Sequence, residues 1–260
     1  MAGVYRALRQ IRLFTPILAA PTSNPSALPT SLPVSTVALL LFTRSAGQDA
    51  THKRFSSHGP RGGNAAIAAQ LISHATTVAR QVGVNFICVD SSRQTGNTFG
   101  ERLSGAMQQV FASGYEQLLV IGNDCPQLDA ARLRQAIAAL ARTGAVLGPA
   151  TDGGVYLLGI ARAHFEVCAW AALPWQTATL GRALTRQLRA SGAAVEQLPE
   201  LADIDNEQDL AHALRQVLPW VLRRTLRQLR RGPAAVPENP VPACGSGAAP
   251  AQPHRGPPAR

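Results

Sequence analysis

The chain has 260 residues, enough to bury one substantial core, and its net charge of +10 sits at its ends. Residues 1–48 carry four Arg and no acid, and 210–260 carry eight Arg and one acid, whereas 49–209 hold 13 basic and 14 acidic residues. That near-neutral middle argues against nucleic acid as a partner, and no apolar run approaches the roughly 20 residues that span a bilayer.

In chain order, residues 1–35 read as a disordered extension or as sequence upstream of the true start. The patch from Leu13 to Ala20, broken by Pro16, makes an export signal the minor alternative. The region expected to form the domain spans 36–218. Val37–Phe42 is a first buried strand, and Thr43 to Phe55 reads as a long polar loop ending in the basic pair Lys53-Arg54. Asn64–Gln81 is an Ala-rich helix with Ile67, Leu71 and Val78 at helical spacing. Val84–Val89 is a strand ending at Asp90, and Phe99–Ala112 is a helix. Gln117–Ile121 is a third strand, and Asp129 is positioned to cap a helix through Ala141. Ala145–Leu147 and Val155–Ile160 are strands. A helix at about Thr177–Ala190, a strand at about Ala194–Leu198 and a helix opening near Asn206 follow. Alternating strands and helices specify an α/β fold, Rossmann-like, with a mostly parallel central sheet covered on both faces. Residues 219–231 form a basic amphipathic helix that either docks Trp220, Leu222, Leu226 and Leu229 on the domain or touches an anionic membrane surface as a peripheral contact. Residues 232–260, rich in Pro, Ala and Gly, lack the apolar side chains to form a core and read as a disordered tail.

Several chemistries are absent. No G-x-G-x-x-G opens the first helix, no G-x-x-x-x-G-K-[ST] occurs, and no G-x-S-x-G elbow appears, which excludes the usual dinucleotide, P-loop and α/β-hydrolase sites. Cys88, Cys125, Cys168 and Cys244 form no C-x-x-C pair. They fit a reducing, cytoplasmic setting, with Cys88 a buried thiol. Among the basic residues the only lysine is Lys53.

What remains are three acidic turns. Strand, Gly122, Asn123, Asp124, Cys125, Pro126 places an acid at a strand end, where Mg²⁺ or Mn²⁺ takes one or two carboxylates together with substrate phosphates, unless Asp124 simply serves the turn. Asp152-Gly153-Gly154 lies between two strands; it either lets a ligand approach the backbone or is a plain hairpin turn. Asp203, Asp205 and Asp209 form the third cluster, with Asp205 or Asn206 capping the last helix. On parallel strands these turns converge at the carboxyl ends, where α/β sheets bind ligands. Arg44, Lys53 and Arg54 of the first loop either grip phosphate oxygens or form a solvated basic loop.

Over about Val37 to Leu214 the chain resembles a bacterial family of GT-A-like transferases, the radical-SAM/selenodomain-associated transferase 1 type. That family is distantly related to the molybdenum cofactor and phospholactate guanylyltransferases. The resemblance rests on Gly100-Glu101-Arg102-Leu103, on Gly122 to Leu128, on Gly148 to Gly159, on Pro174-Trp175 and on Asp203 to Leu210, in that order. It implies a GT-A sandwich, a nucleotide-diphosphate sugar donor and a divalent cation, Mg²⁺ or Mn²⁺. Asp124 and Asp205 are implied as metal ligands. Arg44, Lys53, Arg54, Arg102, Asn123, Gly153 and Gly154 are the substrate-binding candidates, and Asp152 is the catalytic candidate, a base opposite the metal. Family members often carry Lys-Thr-Arg-Leu after the first strand. Here, if Arg54-Phe55 stands for Arg-Leu, His52 replaces the lysine; aligning Lys53 instead moves the arginine. Val155 stands where an aromatic is often found. The expected activity is glycosyl transfer to an unspecified small-molecule or lipid acceptor. The alternatives are a nucleotidyltransferase that releases pyrophosphate from an NTP and a non-catalytic nucleotide-sugar-binding relative.

Overall fold

The computed structural model of the protein describes residues 36–56 and 61–231; the expectations for 1–35 and 232–260 fall outside these. Six strands form one sheet in the order β2-β1-β3-β5-β4-β6. These are β1 (Val37–Phe42), β2 (Asn85–Val89), β3 (Gln117–Ile121), β4 (Gly144–Pro149), β5 (Val155–Ala161) and β6 (Ala194–Gln197). β1 pairs in parallel with β2 and β3, and β4 with β6. β5 alone is reversed, antiparallel to both β3 and β4. The sheet is therefore mostly parallel, as its apolar strands require.

The first strand, VALLLF, is buried throughout because both sheet faces are covered. Alternate side chains supply two cores, as the two-residue strand period dictates. Leu40, Phe42, Leu118, Val120 and Leu158 meet Leu103, Met107, Val110 and Phe111 of α3 (Phe99–Ala112) and Leu180, Leu184 and Leu188 of α6 (Leu180–Ala190). Leu39, Leu41, Leu119, Ile121 and Val146 face Ala75, Val78 and Ala79 of α2 (Arg61–Arg80) and Leu133, Ala136 and Leu140 of α4 (Ala130–Thr143). A third cluster joins Phe55, Ile67, Leu71, Ile204 and Leu210 to Leu222 and Leu226 of α8 (Trp220–Arg231).

Helix starts follow their caps. Thr98 and Glu101 close a capping box on α3, and the Asp129 carboxylate accepts from the Arg132 amide at 2.7 Å. Asp129→Ala is expected to cost about 1 kcal/mol, read as a fall of roughly 2–4 °C in Tm.

Three expectations need correction. The polar stretch after β1 is not all loop: Ala46–His52 is a helix, α1, capped by Ser45. Its pattern is unreadable as amphipathic because the group it buries is a carboxylate, Asp49, rather than a hydrophobe. Trp220 does not dock with the leucines of α8 but stands exposed. Cys88 is only half-buried, and the buried thiol is Cys125. The helix expected from about Thr177 begins at Leu180, and two short helical pieces, α5 (Arg162–Glu166) and a 3₁₀ turn (Trp170–Ala172), carry no apolar period that would announce them. The last helix of the domain, α7 (Glu207–Ala213), starts at Asn206 as its cap. No helix among the described residues is long and apolar enough to cross a membrane.

Candidate functional site

Because β5 is reversed, the carboxyl ends of β1, β3 and β4 and the start of β5 meet at one edge of the sheet. A cleft of about 500 Å³ opens there. Its lining includes Arg44, Lys53, Arg102, Asn123, Asp124, Asp152, Gly154, Asp203 and Asp205. Phe42, Phe99 and Trp175 form an aromatic wall, with Phe99 edge-on to Phe42 at 5.7 Å and 5.5 Å from Trp175 between ring centroids. Gly100 is required behind that wall, since a Cβ there would lie 2.5 Å from the Trp175 ring.

Lys53 is the centre of the acidic side. Its ammonium lies 2.7 Å from Asp124 and 2.9 Å from Asp205 and donates to the Ile204 carbonyl at 3.2 Å. Burial opposes its charge, but the Asp124 and Asp205 carboxylates outweigh that and hold the ammonium above its ordinary range. A lysine so committed is not a free phosphate grip. It is a resident cation between the two acids expected to bind metal. The bridge is possible because α1 ends at His52 and Phe55 is anchored in the third cluster, which carries Lys53 under the Asp124 turn.

A second acidic group stands beside the first. Ligand oxygens of Asp152, Asp203 and Asp205 lie within 4.8 Å of one another. Residues 203–205 are non-helical, with Ile204 fully buried, so the flanking carboxylates both turn toward the cleft. Asn206 caps α7 and Asp209 accepts from the amides of Asp205 and Asn206, which leaves Asp203 and Asp205 for the site. Burial, and then the Asp152 and Asp205 charges, push the Asp203 carboxyl up to about 6. Its folded pKa therefore exceeds the ordinary value near 4. The stability this group contributes is full below about pH 4 and is lost as pH rises through about 6. Chelator-treated protein should show that loss in a melting series from pH 4 to 7. Three oxygen donors in one hand-span fit a hard divalent cation, which favours carboxylates. Asp124 falls outside this group of three but is Asp205's neighbour, since both carboxylates share the Lys53 ammonium.

The remaining expected residues divide clearly. Asn123 is buried and committed: its Oδ1 accepts from the Thr43 hydroxyl at 2.8 Å and its Nδ2 donates to Asp49 at 3.5 Å. Arg44 lies 3.5 Å from Asp49 and reaches the cleft, and Arg102 lines it while donating to the Asn97 carbonyl. Arg54 is exposed, bridges Asn206 by its backbone and does not line the cleft. Gly153 serves the fold: at φ +87° its missing Cβ would sit 2.2 Å from the Ala178 carbonyl. The Gly154 amide donates to the Asp152 carboxylate at 2.7 Å, which fixes that acid's direction. Asp152 thus lies beside Asp205 rather than across from it. Burial holds the Cys125 thiol well above its ordinary range, so it is no thiolate nucleophile.

Sequence reasoning missed Asp49, which is 2% exposed and ties Arg44 to Asn123. Its only signal was an acid four residues after a helix-capping Ser. Gln94, whose side-chain amide donates to the Thr43 carbonyl at 2.8 Å, had none.

Among solved structures, a protein of Desulfovibrio desulfuricans G20 assigned as a nucleotide-diphospho-sugar transferase shares this fold. Its TM-score is 0.66 at 22% identity, over 76% of this chain and 95% of that one. Rv0371c from Mycobacterium tuberculosis H37Rv is a looser likeness, TM-score 0.46 at 14% identity over 71% and 100% of the two chains. No curated protein matches the chain. Residues 64–195, from the first turn of α2 into β6, match the family described as uncharacterized protein conserved in bacteria, DUF2064, and the chain belongs to that family.

Proposed function

We propose that the protein is a transferase that takes a nucleotide-diphosphate sugar into this cleft and transfers the sugar to an acceptor hydroxyl. The observation that carries the reading is the presence of both signs of charge in the lining of one cleft. Asp152, Asp203 and Asp205 converge on one side, and Arg44 and Arg102 stand in the same lining. A diphosphate suits such a lining: the carboxylates would hold a divalent cation that offsets its charge, and the guanidiniums can pair with its oxygens. Phe42, Phe99 and Trp175 line the same cleft and offer an apolar aromatic wall against which a base or the apolar face of a sugar can pack.

Asp152, Asp203 and Asp205 would hold the cation, which when bound neutralises charge on the diphosphate. Asp152 accordingly acts as a ligand rather than as the base, since it sits with the other two acids. Arg44 and Arg102 orient the diphosphate and stabilise the charge that grows on it as the acceptor oxygen attacks the anomeric carbon and the sugar–phosphate bond breaks. The acceptor proton leaves to solvent or to a base of the acceptor site. Lys53 keeps Asp124 and Asp205 in place through both partners' charge.

The experiment is product analysis with a panel of sugar nucleotides and Mn²⁺. The reading predicts slow release of nucleoside diphosphate, abolished by chelator and by Asp203→Asn. Pyrophosphate release from an NTP with a phosphorylated acceptor, and no nucleoside diphosphate, would overturn it in favour of nucleotidyl transfer. Binding of sugar nucleotides without turnover under any condition would make the protein a non-catalytic relative.

A further inference from the structure

Three of the four exposed large apolar side chains among the described residues fall within five positions: Val217 (92% exposed), Trp220 (63%) and Val221 (67%). They stand at the start of α8, whose sequence WVLRRTLRQLRR contains five Arg and no acid. Leu222 and Leu226 are buried in the third cluster with Leu229 packed against it, so the apolar face of the helix is already occupied by the protein. The outer face is a second pattern. Positions 220, 224, 227 and 231 follow helical spacing and fall on one stripe, and Trp220, Arg224, Arg227 and Arg231 are all exposed. Arg224 lies over the Trp220 ring at 5.3 Å. Of the five Arg only Arg230 reaches a carboxylate among the described residues, Glu207 at 3.6 Å.

We infer that this stripe docks the protein on an anionic lipid surface, with α8 lying along the headgroups. The arginines supply attraction to lipid phosphates, and Trp220 has the amphipathic ring that settles at the headgroup level. The two valines decide between lipid and nucleic acid. An exposed aliphatic pair adds nothing to a phosphate or a base edge, whereas beside Trp220 it can enter the acyl boundary as a shallow wedge. Arg224 also covers the Trp220 ring, the surface on which a base would stack. The inference is independent of the reaction proposed for the cleft, since it uses none of the cleft residues.

The test uses the full chain and large vesicles of phosphatidylcholine alone or with 30 mol% phosphatidylglycerol, at about 150 mM NaCl, where the Debye length is about 8 Å. Sedimentation should show binding only to the anionic vesicles. Brominated acyl chains should quench tryptophan emission, and Trp220→Phe should remove that quenching, because Trp170 is buried and Trp175 is half-buried in the cleft wall. R224Q/R227Q/R231Q should lower the partition coefficient roughly hundredfold, and V217S/V221S should lower it several-fold. All five positions are exposed, and the one bond to the body of the protein that is lost, from the Arg227 guanidinium to the Leu214 carbonyl at 3.3 Å, should lower the melting temperature by roughly 2–4 °C at most; should a variant fail to fold, the bromolipid arm on the parent decides alone. Absence of binding to anionic vesicles, or quenching that survives in Trp220→Phe, overturns the inference. So does binding of a single-stranded oligonucleotide through the same arginines without vesicle binding, which would make the partner a nucleic acid.

Discussion

Asp203→Asn should make the protein more stable than its parent in chelator at pH 8, and insensitive to divalent cations. Three carboxylates with oxygens within 4.8 Å repel one another, and burial and those neighbours push Asp203 up to about 6. Removing one charge relieves that repulsion. Because Asp203 is only partly buried and water screens the site, the gain is about 1 kcal/mol, or roughly 2–4 °C in Tm. The parent should regain more than this from a cation. At a concentration a hundredfold above Kd a ligand adds about 2.7 kcal/mol by mass action, and the variant should gain almost none of it. Loss of catalysis should follow loss of the cation, with nucleoside diphosphate release falling more than about a hundredfold. Differential scanning fluorimetry with and without Mn²⁺ reads the first two effects. A variant less stable than the parent in chelator would show that Asp203 is a structural acid.

Lys53→Met should act in the opposite sense. Breaking a fully buried ion pair by removing one partner costs roughly 3–5 kcal/mol. Here Asp124 and Asp205 remain 40% and 51% exposed and can be hydrated, so the expected cost is about 2 kcal/mol, or roughly 4–8 °C. The informative feature is the rescue. With the ammonium gone, Asp124 and Asp205 lie free side by side, and millimolar Mg²⁺ or Mn²⁺ should restore most of the loss by occupying the place Lys53 held. A loss of stability that no cation repairs would mean that the aliphatic stem of Lys53, rather than its charge, supports the Asp124 turn.

These two variants also mark how far the sequence could be read. The parallel sheet was legible because VALLLF and QLLVI are continuous apolar runs with helices between them, a pattern that needs cover on both faces. The convergence of the acidic turns at one edge followed from that topology. The cap of α4 was legible because a capping acid acts locally, three residues from its amide. The partner of Asp124 was not legible, because Lys53 lies 71 residues upstream and reaches it only through the fold. A strand-end carboxylate looks the same in sequence whether it awaits a metal or holds a lysine. Asp49 was hidden for a related reason: burying a charge inverts the apolar pattern by which helices are recognised. Asp152 was seen, but its side of the cleft depends on the reversed β5, and the letters DGG suit a hairpin of either role.

The central claim is that Asp152, Asp203 and Asp205 hold the cation while Lys53 occupies the Asp124 pair. Calorimetric titration of Mn²⁺ into the chelator-stripped protein tests it most directly. The account predicts one site per chain, abolished by Asp152→Asn or Asp203→Asn and retained in Asp124→Asn. A site lost in Asp124→Asn and retained in Asp203→Asn would contradict it.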